Sequence, residues 1–477
     1  MAPIVAELRN LITKGDVFVP GDEGYADSLQ RWSATCVRPA AFVIRPANST
    51  ETSAAVRLAT SNSIPFVVRG GGHNPSGGSA SDDGMVIDLS LLRSVSVREE
   101  TQSVTFGGGC LWGDVDAALW DKGYATVGGT VSHTGVGGLI LGGGYGMLTG
   151  RHGLSIDCLL SCEVVLGSGN IVTASQDEHP DLFWALRGAG QSFGVVTSFS
   201  SRIFPQDNVW GGVVVWPLSA IPQIASFMND FERQTDGDQY MMPMLACHPK
   251  TLEPVIAASL FYNGNKASAE KFYAPVLALG KIMDQTAVIP YPKANTFPEP
   301  KVPHGKRYLF SGANFLCPLD VGLLQKASDM FHALLSKPGN KELKARSMVG
   351  FELTPHDKVR SVPTSHTAFA GREGAAYNVI IVISWDSEER DEEAKSICAA
   401  IAGFMKEHGW KGDALGDRGG TYYNYLNPVV ETDRAFVKAD RVFGPNVERL
   451  RQLKAVYDPN NVFKKAVNLL PAALPGA

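Results

Sequence analysis

The most informative segment of the chain reads Val67-Val68-Arg69-Gly70-Gly71-Gly72-His73-Asn74-Pro75-Ser76-Gly77-Gly78. Its β-branched residues predict a strand that ends at Arg69, where three glycines follow. Glycine accepts a positive φ and lets the backbone approach a ligand closely, and successive N–H groups in such a turn form a concave anion site. The segment therefore predicts a cradle for a pyrophosphate, to which Arg69 adds a positive charge. The alternative is a glycine-rich hairpin in which His73 is structural.

A second glycine-rich segment reads Gly128-Gly129-Thr130-Val131-Ser132-His133-Thr134-Gly135-Val136-Gly137-Gly138, and it continues to Gly142-Gly143-Gly144-Tyr145-Gly146. Backbone that lies flat against a ring system needs such a density of glycine, although close-packed turns need it too. We interpret His133 and His152 in this region as hydrogen-bonded structural histidines.

The hydrophobic pattern predicts an α+β protein with short elements. Strands at 41–45 and 65–69 flank a helix at 49–61, which Asn48 caps with Glu51 three residues later. A hairpin is predicted around Gly167-Ser168-Gly169. Beyond residue 209, apolar strands alternate with charged helices, which predicts a separate antiparallel sheet backed by helices. The strands are predicted at 209–216, 253–262, 346–353 and 377–385, and the helices at 219–234, 266–279 and 389–408.

The segment Arg-Gly-Gly-Gly-His-Asn-Pro at 69–75, with Gly-Met-Val-Ile-Asp-Leu-Ser at 84–90, resembles the p-cresol methylhydroxylase-type FAD domain of the vanillyl-alcohol oxidase superfamily. The Asn74-Pro75 ending is similar to the 6-hydroxy-D-nicotine oxidases of the berberine-bridge-like branch. In that branch the histidine at this position carries the flavin covalently through its 8α-methyl group. The resemblance implies FAD bound through His73.

The family layout also implies the domain organisation. Residues 1–205 would form the N-terminal part of the FAD-binding domain, and 206–414 an inserted substrate domain. Residues 415–477 would return to complete the FAD-binding domain. Bicovalent relatives have a cysteine at the position of Val131, so the resemblance implies no second, cysteinyl link to the flavin. Cys110 lies outside that motif and is interpreted as a small packing residue.

The resemblance implies a set of residues that contact FAD in addition to His73. They are Arg69, Gly70, Gly71, Gly72, Asn74, Gly128, Gly129, Thr134, Gly137, Gly138, Gly143, Gly146, Gly194, Val196, Tyr422 and Asn424. Gly194 ends the sequence Gly-Gln-Ser-Phe-Gly, which matches the nucleophile elbow of hydrolases. That elbow needs a strand before the serine and a helix after it, whereas the pattern here predicts the reverse order.

The sequence Tyr422-Tyr423-Asn424-Tyr425 is the candidate for chemistry. In the family's Tyr-x-Asn-Tyr motif the last tyrosine faces the substrate, which implies Tyr425 as the catalytic base. A phenol has a pKa of about 10, so a catalytic one must be activated by its surroundings. The alternative is a group of core aromatics near a domain boundary.

Composition limits the partners and the compartment. The chain has 477 residues and a net charge of −5, so neither nucleic acid nor an anionic membrane is expected as a partner. Seven cysteines without a framework spacing and an N-terminus without a signal-peptide pattern predict a cytoplasmic protein. Cys158 and Cys162 have no matching ligand pair, so no metal is expected. We expect a monomer or a homodimer.

These observations together predict an FAD-dependent oxidase that transfers a hydride from a small organic substrate to the flavin and passes the electrons to O₂, giving H₂O₂. The alternatives are a flavin dehydrogenase or an oxidative cyclase of a secondary-metabolite pathway, and a flavin-binding protein without activity. Sugars, aromatic alcohols, alkaloid-like amines and polyketides all remain possible substrates. The resemblance implies that specificity lies on one face of the substrate sheet, roughly within 240–385, but the sequence does not reveal the register of that face.

Overall fold

The N-terminal part of the chain forms a four-stranded sheet, a five-stranded sheet and a two-stranded sheet of Tyr124–Ala125 with Phe204–Pro205. The computed structural model describes residues 2–337, 339–374, 376–409, 422–427, 439–465 and 467–470. The strands of this part are β1 (Asp16–Phe18), β2 (Phe42–Arg45), β3 (Phe66–Arg69), β4 (Met85–Asp88), β5 (Val95–Arg98), β6 (Ser103–Gly107), β7 (Tyr124–Ala125), β8 (Leu159–Val165), β9 (Ile171–Ser175), β10 (Val195–Arg202) and β11 (Phe204–Pro205).

The helices of the same part surround these sheets. They are α1 (Ala2–Leu11), α2 (Tyr25–Ser28), α3 (Ser49–Ser61), α4 (Trp112–Trp120), α5 (Val136–Leu141), α6 (Thr149–His152), α7 (Ser155–Cys158) and α8 (Pro180–Ala189). Helix α3 has the predicted bounds, and the Asn48 side chain accepts a hydrogen bond from the Glu51 N–H at 2.9 Å. The predicted N-cap is therefore confirmed.

In the first sheet the strands run in the order β1-β2-β4-β3, and β2 and β3 both pair with β4 in parallel. The β-α-β unit is thus present, with β4 inserted between its two strands. The second sheet runs β5-β6-β10-β8-β9 and contains the predicted hairpin of β8 and β9. Strand β3 ends at Arg69, so the first glycine turn leaves the sheet at the edge where β4 also ends.

The following part of the chain forms a larger antiparallel sheet. Its strands are β12 (Val209–Pro217), β13 (Gln239–Cys247), β14 (Pro254–Tyr262), β15 (Met283–Asp284), β16 (Ala287–Ile289), β17 (Arg307–Leu316), β18 (Met348–Glu352) and β19 (Ala376–Trp385). Their order is β15-β12-β14-β13-β18-β19-β17, and β16 also pairs with β12. Strands β13 and β17 were not predicted from the sequence, whereas the other four long strands were.

Helices cover one face of this sheet, pack between the sheet and the N-terminal part, and form the C-terminal segment. They are α9 (Ile221–Gln234), α10 (Lys266–Phe272), α11 (Ala274–Leu277), α12 (Tyr291–Ala294), α13 (Val321–Leu335), α14 (Lys341–Arg346), α15 (Asp357–Arg360), α16 (Asp391–His408), α17 (Ala439–Phe443) and α18 (Val447–Tyr457). The predicted helix at 266–279 is two short helices, because Pro275 in the first turn of α11 lacks the N–H that would continue α10. The fold is α+β, as predicted.

The large sheet separates two apolar cores. Side chains of one face pack against α9, α13 and α16, and alternate residues of the same strands pack towards the N-terminal part. The C-terminal segment is fixed to that part by Lys454, whose Nζ lies 2.6 Å from Asp458 Oδ2 and 2.6 Å from the Ser192 carbonyl oxygen. Both charged side chains of this pair are 1% exposed.

Part of the predicted domain organisation cannot be compared with these helices and strands. The proposed boundary between 414 and 415 falls outside the described residues, as do the glycines at 412–420. Among the described residues, no helix is both long enough and apolar enough to cross a membrane.

Candidate active site

A cavity of about 310 Å³ lies between the glycine turns and the face of the large sheet that is turned away from α9, α13 and α16. Its walls include residues of both glycine segments, of β13, β17, β18 and β19, and of the C-terminal segment. The cavity thus brings together parts of the chain that are distant in sequence. A cavity of this size with a few convergent polar groups is the usual form of a small-molecule site.

The first glycine turn lines the cavity with Gly70, Gly71 and Gly72. Gly72 has a φ of +68°, and a Cβ on Gly71 would lie 2.4 Å from the backbone nitrogen of Gly135. The two glycine segments therefore touch backbone to backbone, and a side chain at position 71 would separate them. This close approach accounts for the need for glycine at position 71, whereas the sequence predicted the approach of a ligand.

His73 follows the turn and is enclosed by aromatic side chains. Its ring stacks on Trp32 with centroids 4.4 Å apart, and its Nε2 lies 3.0 Å from Nδ1 of His133. Burial, followed by the neighbouring His133 and His304, lowers the pKa of His73 well below its ordinary value. The imidazole is therefore neutral near pH 7, and it lines the cavity. His133 holds this ring, which agrees with the structural role that we expected for it.

The second glycine segment serves two purposes. Four of the residues predicted to contact the cofactor, namely Thr134, Gly137, Gly138 and Gly146, line the cavity. The described residues that line the cavity do not include Gly128, Gly129 and Gly143. Their missing side chains make room for protein instead: a Cβ would meet Trp112 at 2.4 Å from Gly128, Leu139 at 2.6 Å from Gly129 and Phe369 at 2.9 Å from Gly143.

Arg69 lies beside the turn but outside the lining. Its Nη1 lies 2.5 Å from Asp88 Oδ2 on β4, and the Asp88 side chain is fully buried. The charge of Arg69 is thus paired within the sheet, and its contact with a pyrophosphate stays a prediction. Asn74, Gly194 and Val196 line the cavity at the predicted positions.

Tyr422 and Asn424 line the cavity and hold the second glycine segment in place. The Tyr422 hydroxyl accepts hydrogen bonds from the Gly144 N–H at 3.0 Å and from the Asn424 side-chain amide at 2.7 Å. The same amide donates to the Leu139 carbonyl at 3.1 Å. These contacts fix the loop that follows α5 against the segment at 422–425.

Tyr425 points to the sheet side of the cavity. Its hydroxyl donates a hydrogen bond of 2.8 Å to Oε1 of Glu352, the last residue of β18. Burial raises the pKa of Glu352 to about 7, while the hydrogen bond from Tyr425 and the neighbouring amide of Asn378 act in the opposite direction. Burial and the charge of Glu352 raise the pKa of Tyr425 well above its ordinary value. The carboxyl group is therefore the member of this pair that changes its charge near neutral pH.

Among the cavity residues that were not singled out from the sequence, several have titratable side chains. Tyr240 and Glu352 come from the large sheet, and Lys464 and Lys465 from the C-terminal segment. Lys465 Nζ donates to the carbonyl of Ala80, close to the first glycine segment. The one available signal was Glu352, a carboxylate between the apolar residues Phe351 and Leu353 of the predicted strand at 346–353, since buried charges without a role are rare.

The residues present fit a flavin dinucleotide. A Cβ on Gly138 would meet no atom within 4 Å although this residue lines the cavity, so its backbone is open to a ligand. Ser79 also lines the cavity, and its hydroxyl is buried without a hydrogen-bond partner among the described residues. Open backbone and an unused hydroxyl are what a bound phosphate and ring would occupy.

Comparison with known proteins defines the class of this site. A model of the FAD binding domain matches residues 40–175, and a model described as berberine and berberine like matches residues 421–469. The chain is thus an FAD-linked oxidoreductase. The FAD-linked oxidoreductase pgmH of Aspergillus terreus is 34% identical over 98% of this chain and 96% of its own length. The chain belongs to the berberine bridge enzyme-like family.

Solved structures share the fold at lower identity. The 6-hydroxy-D-nicotine oxidase of Arthrobacter nicotinovorans superposes with a TM-score of 0.83 at 24% identity, covering 97% of this chain and 99% of its own. A chitooligosaccharide oxidase superposes with a TM-score of 0.81 at 21% identity, covering 98% of this chain and all of its own. The expectation of a berberine-bridge-like FAD enzyme is confirmed.

Proposed function

We propose that the protein is an oxidase that carries FAD on His73, oxidises a small organic substrate and reduces O₂ to H₂O₂. The observation that carries this proposal is the Tyr425–Glu352 pair, which lies on the sheet side of the cavity while the glycine segments and His73 lie on the other. A substrate between them would have a proton acceptor on one side and the cofactor on the other. The two similar enzymes named above act on very different compounds, so the fold leaves the substrate open.

Covalent attachment through His73 is supported by the state of its ring. A neutral imidazole has a lone pair with which to form a bond, whereas a protonated one has none. Stacking on Trp32 and the contact with His133 fix its orientation. Val131 also lines the cavity, and it has no thiol to form a second link. A single tether is therefore the proposed state.

The proton of the substrate is proposed to leave through Tyr425. Because the pKa of this phenol is raised, it does not act as a preformed phenolate. Instead, it accepts the substrate proton as its own proton passes along the 2.8 Å hydrogen bond to Glu352. When bound, FAD would supply the acceptor for the substrate hydride, and O₂ would then take up the two electrons and two protons to give H₂O₂. The residues predicted to contact the cofactor, including Arg69, remain proposals.

Two measurements on purified protein test this function. Acid precipitation should leave the flavin in the pellet, and a proteolytic peptide containing His73 should carry the mass of FAD. A peroxide-coupled screen should then show one H₂O₂ per product formed. Flavin released entirely into the supernatant would refute the tether, and product formed only with an added electron acceptor would make the protein a dehydrogenase. Product formed by ring closure would indicate an oxidative cyclase.

The compartment and the oligomeric state remain predictions. All seven cysteines lie in the described residues as thiols rather than disulfides, which supports a reducing compartment such as the cytoplasm. A monomer or homodimer is proposed, and light scattering of the purified protein measures it directly.

A further inference from the structure

Three buried polar side chains form one row across the large sheet, beginning at Glu352. Glu352 lies opposite Asn378 in the β18–β19 pair, and Asn378 lies opposite Asn314 in the β19–β17 pair. Residues that are directly opposite in an antiparallel pair have neighbouring side chains on one face. We call these three residues the polar row. The two rows beside it have no polar side chain, and they are Gly350-Ile380-Gly312 and Met348-Val382-Phe310.

The contacts of Asn314 determine which end of the Asn378 amide is turned towards Glu352. Asn314 Nδ2 donates to Asn378 Oδ1 at 3.4 Å and to the Tyr377 carbonyl at 3.5 Å. An asparagine side chain has an oxygen that accepts hydrogen bonds and an NH₂ group that donates them. Because its oxygen is turned to Asn314, Asn378 presents its NH₂ group along the row to Glu352.

The carboxyl group of Glu352 can accept a second hydrogen bond. Its Oε1 accepts one from Tyr425 at 2.8 Å, whereas Oε2 is buried and has no partner in the described structure. Burial raises the pKa of Glu352, and the hydrogen bond from Tyr425 and the amide of Asn378 lower it. Hydrogen bonds to a charged acceptor are shorter and stronger than those to a neutral one. We therefore expect the Asn378 amide to close onto Oε2 when the carboxyl group is charged.

The titratable groups around Glu352 are themselves uncharged near pH 7. Among the described residues, the groups whose pKa values the charge of Glu352 raises are the tyrosines Tyr425, Tyr422, Tyr240 and Tyr145. Burial is the largest cause of the raised pKa of each, so all four keep their protons. Arg372, which acts on Tyr145, is itself paired with Asp157 at 2.6 Å. The charged form of Glu352 thus depends on neutral hydrogen-bond donors.

Resting on the proton-transfer role proposed above for Tyr425 and Glu352, we infer that Asn378 is a positioning residue that acts through Glu352, and that Asn314 holds it in place. The Asn378 amide donates to the charged carboxylate and so keeps it available for the proton that Tyr425 passes on. The described residues that line the cavity include neither asparagine, so this role involves no contact with the substrate.

A purely structural role explains the polar row less well. Backbone hydrogen bonds pair the three strands whatever their side chains are. Burying an amide costs free energy unless its polar atoms find partners, and Oδ1 of Asn314 has none in the described structure. Apolar side chains, as in the neighbouring rows, would fill these positions at a lower cost. The two amides therefore supply an effect that apolar side chains cannot.

Isotope-edited infrared spectroscopy of the holoenzyme measures the protonation of Glu352 without any substrate. Burial also raises the pKa of Asp116 to about 7, so only glutamate is labelled with ¹³C at its side-chain carboxyl group. The labelled band that is absent in Glu352→Gln is assigned to Glu352. In the wild type this band of the protonated carboxyl group should disappear with a midpoint of about pH 7.

Three leucine variants test the polar row. Asn378→Leu removes the donor with little change in size, and the midpoint should rise by about one to two pH units, because a hydrogen bond to a charged group is lost. Asn314→Leu should raise the midpoint by a smaller amount, since the Asn378 amide stays but is no longer held. Asn340→Leu removes a buried amide that precedes α14, outside both the polar row and the cavity lining, and should leave the midpoint unchanged.

A wild-type midpoint in folded Asn378→Leu overturns the inference, and so does an equal rise in Asn340→Leu. If Asn378→Leu does not fold, Asn314→Leu decides the matter, and an unchanged midpoint there overturns the inference. Because the titration uses no substrate, its failure is distinguishable from failure of the proposed function. The expected shifts in a protein that forms no H₂O₂ in the peroxide-coupled screen would uphold the polar row and refute the oxidase. Unchanged midpoints in a protein that forms H₂O₂ would refute the polar row alone.

Discussion

Replacing Glu352 by glutamine should remove the pH dependence of substrate oxidation. Burial raises the pKa of Glu352 to about 7, and only the carboxylate form accepts a proton. About half of the groups are ionised at pH 7 and about one in a hundred at pH 5, since each pH unit changes the ratio ten-fold. The rate constant of flavin reduction should therefore rise about 50-fold from pH 5 to pH 7 and reach a plateau above pH 8. This apparent pKa belongs to the Tyr425–Glu352 pair as a unit.

In Glu352→Gln the shape of the side chain is retained but the proton acceptor is lost. Flavin reduction should be about 10²–10⁴ times slower, and its rise through pH 7 should disappear. Anaerobic stopped-flow at saturating substrate measures both, and Glu270→Gln, an exposed position on α10, is the matched control. Tyr425→Phe should also be slow, because the proton then has no route to the carboxylate. A glutamine variant within a few-fold of the wild-type rate, or a wild-type rate constant that is equal at pH 5 and pH 8, would refute the assignment.

Three further outcomes are expected. His73→Ala should release all of its FAD on acid precipitation and show a lower flavin reduction potential in a dye-coupled titration, because the electron-withdrawing imidazole link is gone. Gly71→Ala should lose FAD and about 1–3 kcal/mol of unfolding free energy in urea, since its Cβ would lie 2.4 Å from backbone, whereas Gly280→Ala meets no atom within 4 Å and should be neutral. Lys454→Met should cost about 3–5 kcal/mol in the same assay, because it leaves the Asp458 carboxylate buried and unpaired; a loss below 1 kcal/mol would contradict this reading.

Local signals predicted the N-terminal part well because its elements are punctuated by residues with one clear structural preference. Asn48 caps α3 through its side chain, which is a short-range contact that the sequence displays directly. The hairpin at Gly169 needs a φ of +82°, which glycine adopts without strain. The first glycine turn likewise begins where the β-branched run stops. In each case the cause of the structure lies within a few residues.

The missed strands had no comparable signal. Strand β13 contains Pro243 and three methionines, and β17 contains Ser311, Gly312 and Ala313 in its centre. Proline and glycine weaken a strand pattern, and methionine favours no single element. These strands form because β14, β18 and β19 offer edges to pair with, and this is a tertiary effect. Without β13 and β17 the sequence could not show which residues of the sheet face the cavity.

The sequence also does not show which glycines of the second segment contact protein and which border the cavity. Gly128 and Gly138 stand in the same segment and look equivalent in the sequence, yet one accommodates Trp112 and the other borders the cavity. Glycine reports that something approaches its backbone closely, but it does not report whether protein or ligand does so. Only the position of Trp112, which comes from α4, separates the two cases.

Tyr425 was predicted and Glu352 was not, although each is needed to explain the other. A buried phenol with its pKa raised is a poor base by itself, and the sequence does not show that the carboxyl group of Glu352 accepts a hydrogen bond from this phenol. The hydrogen bond between them turns the phenol into a relay and the carboxyl group into the final acceptor. Tyr425 comes from the segment that holds the second glycine turn, and Glu352 comes from the sheet that lines the other side of the cavity. The proton-transfer pair is therefore assembled only when the cofactor side and the substrate side of the cavity are both folded and in contact, which ties the capacity for chemistry to the complete fold rather than to either motif.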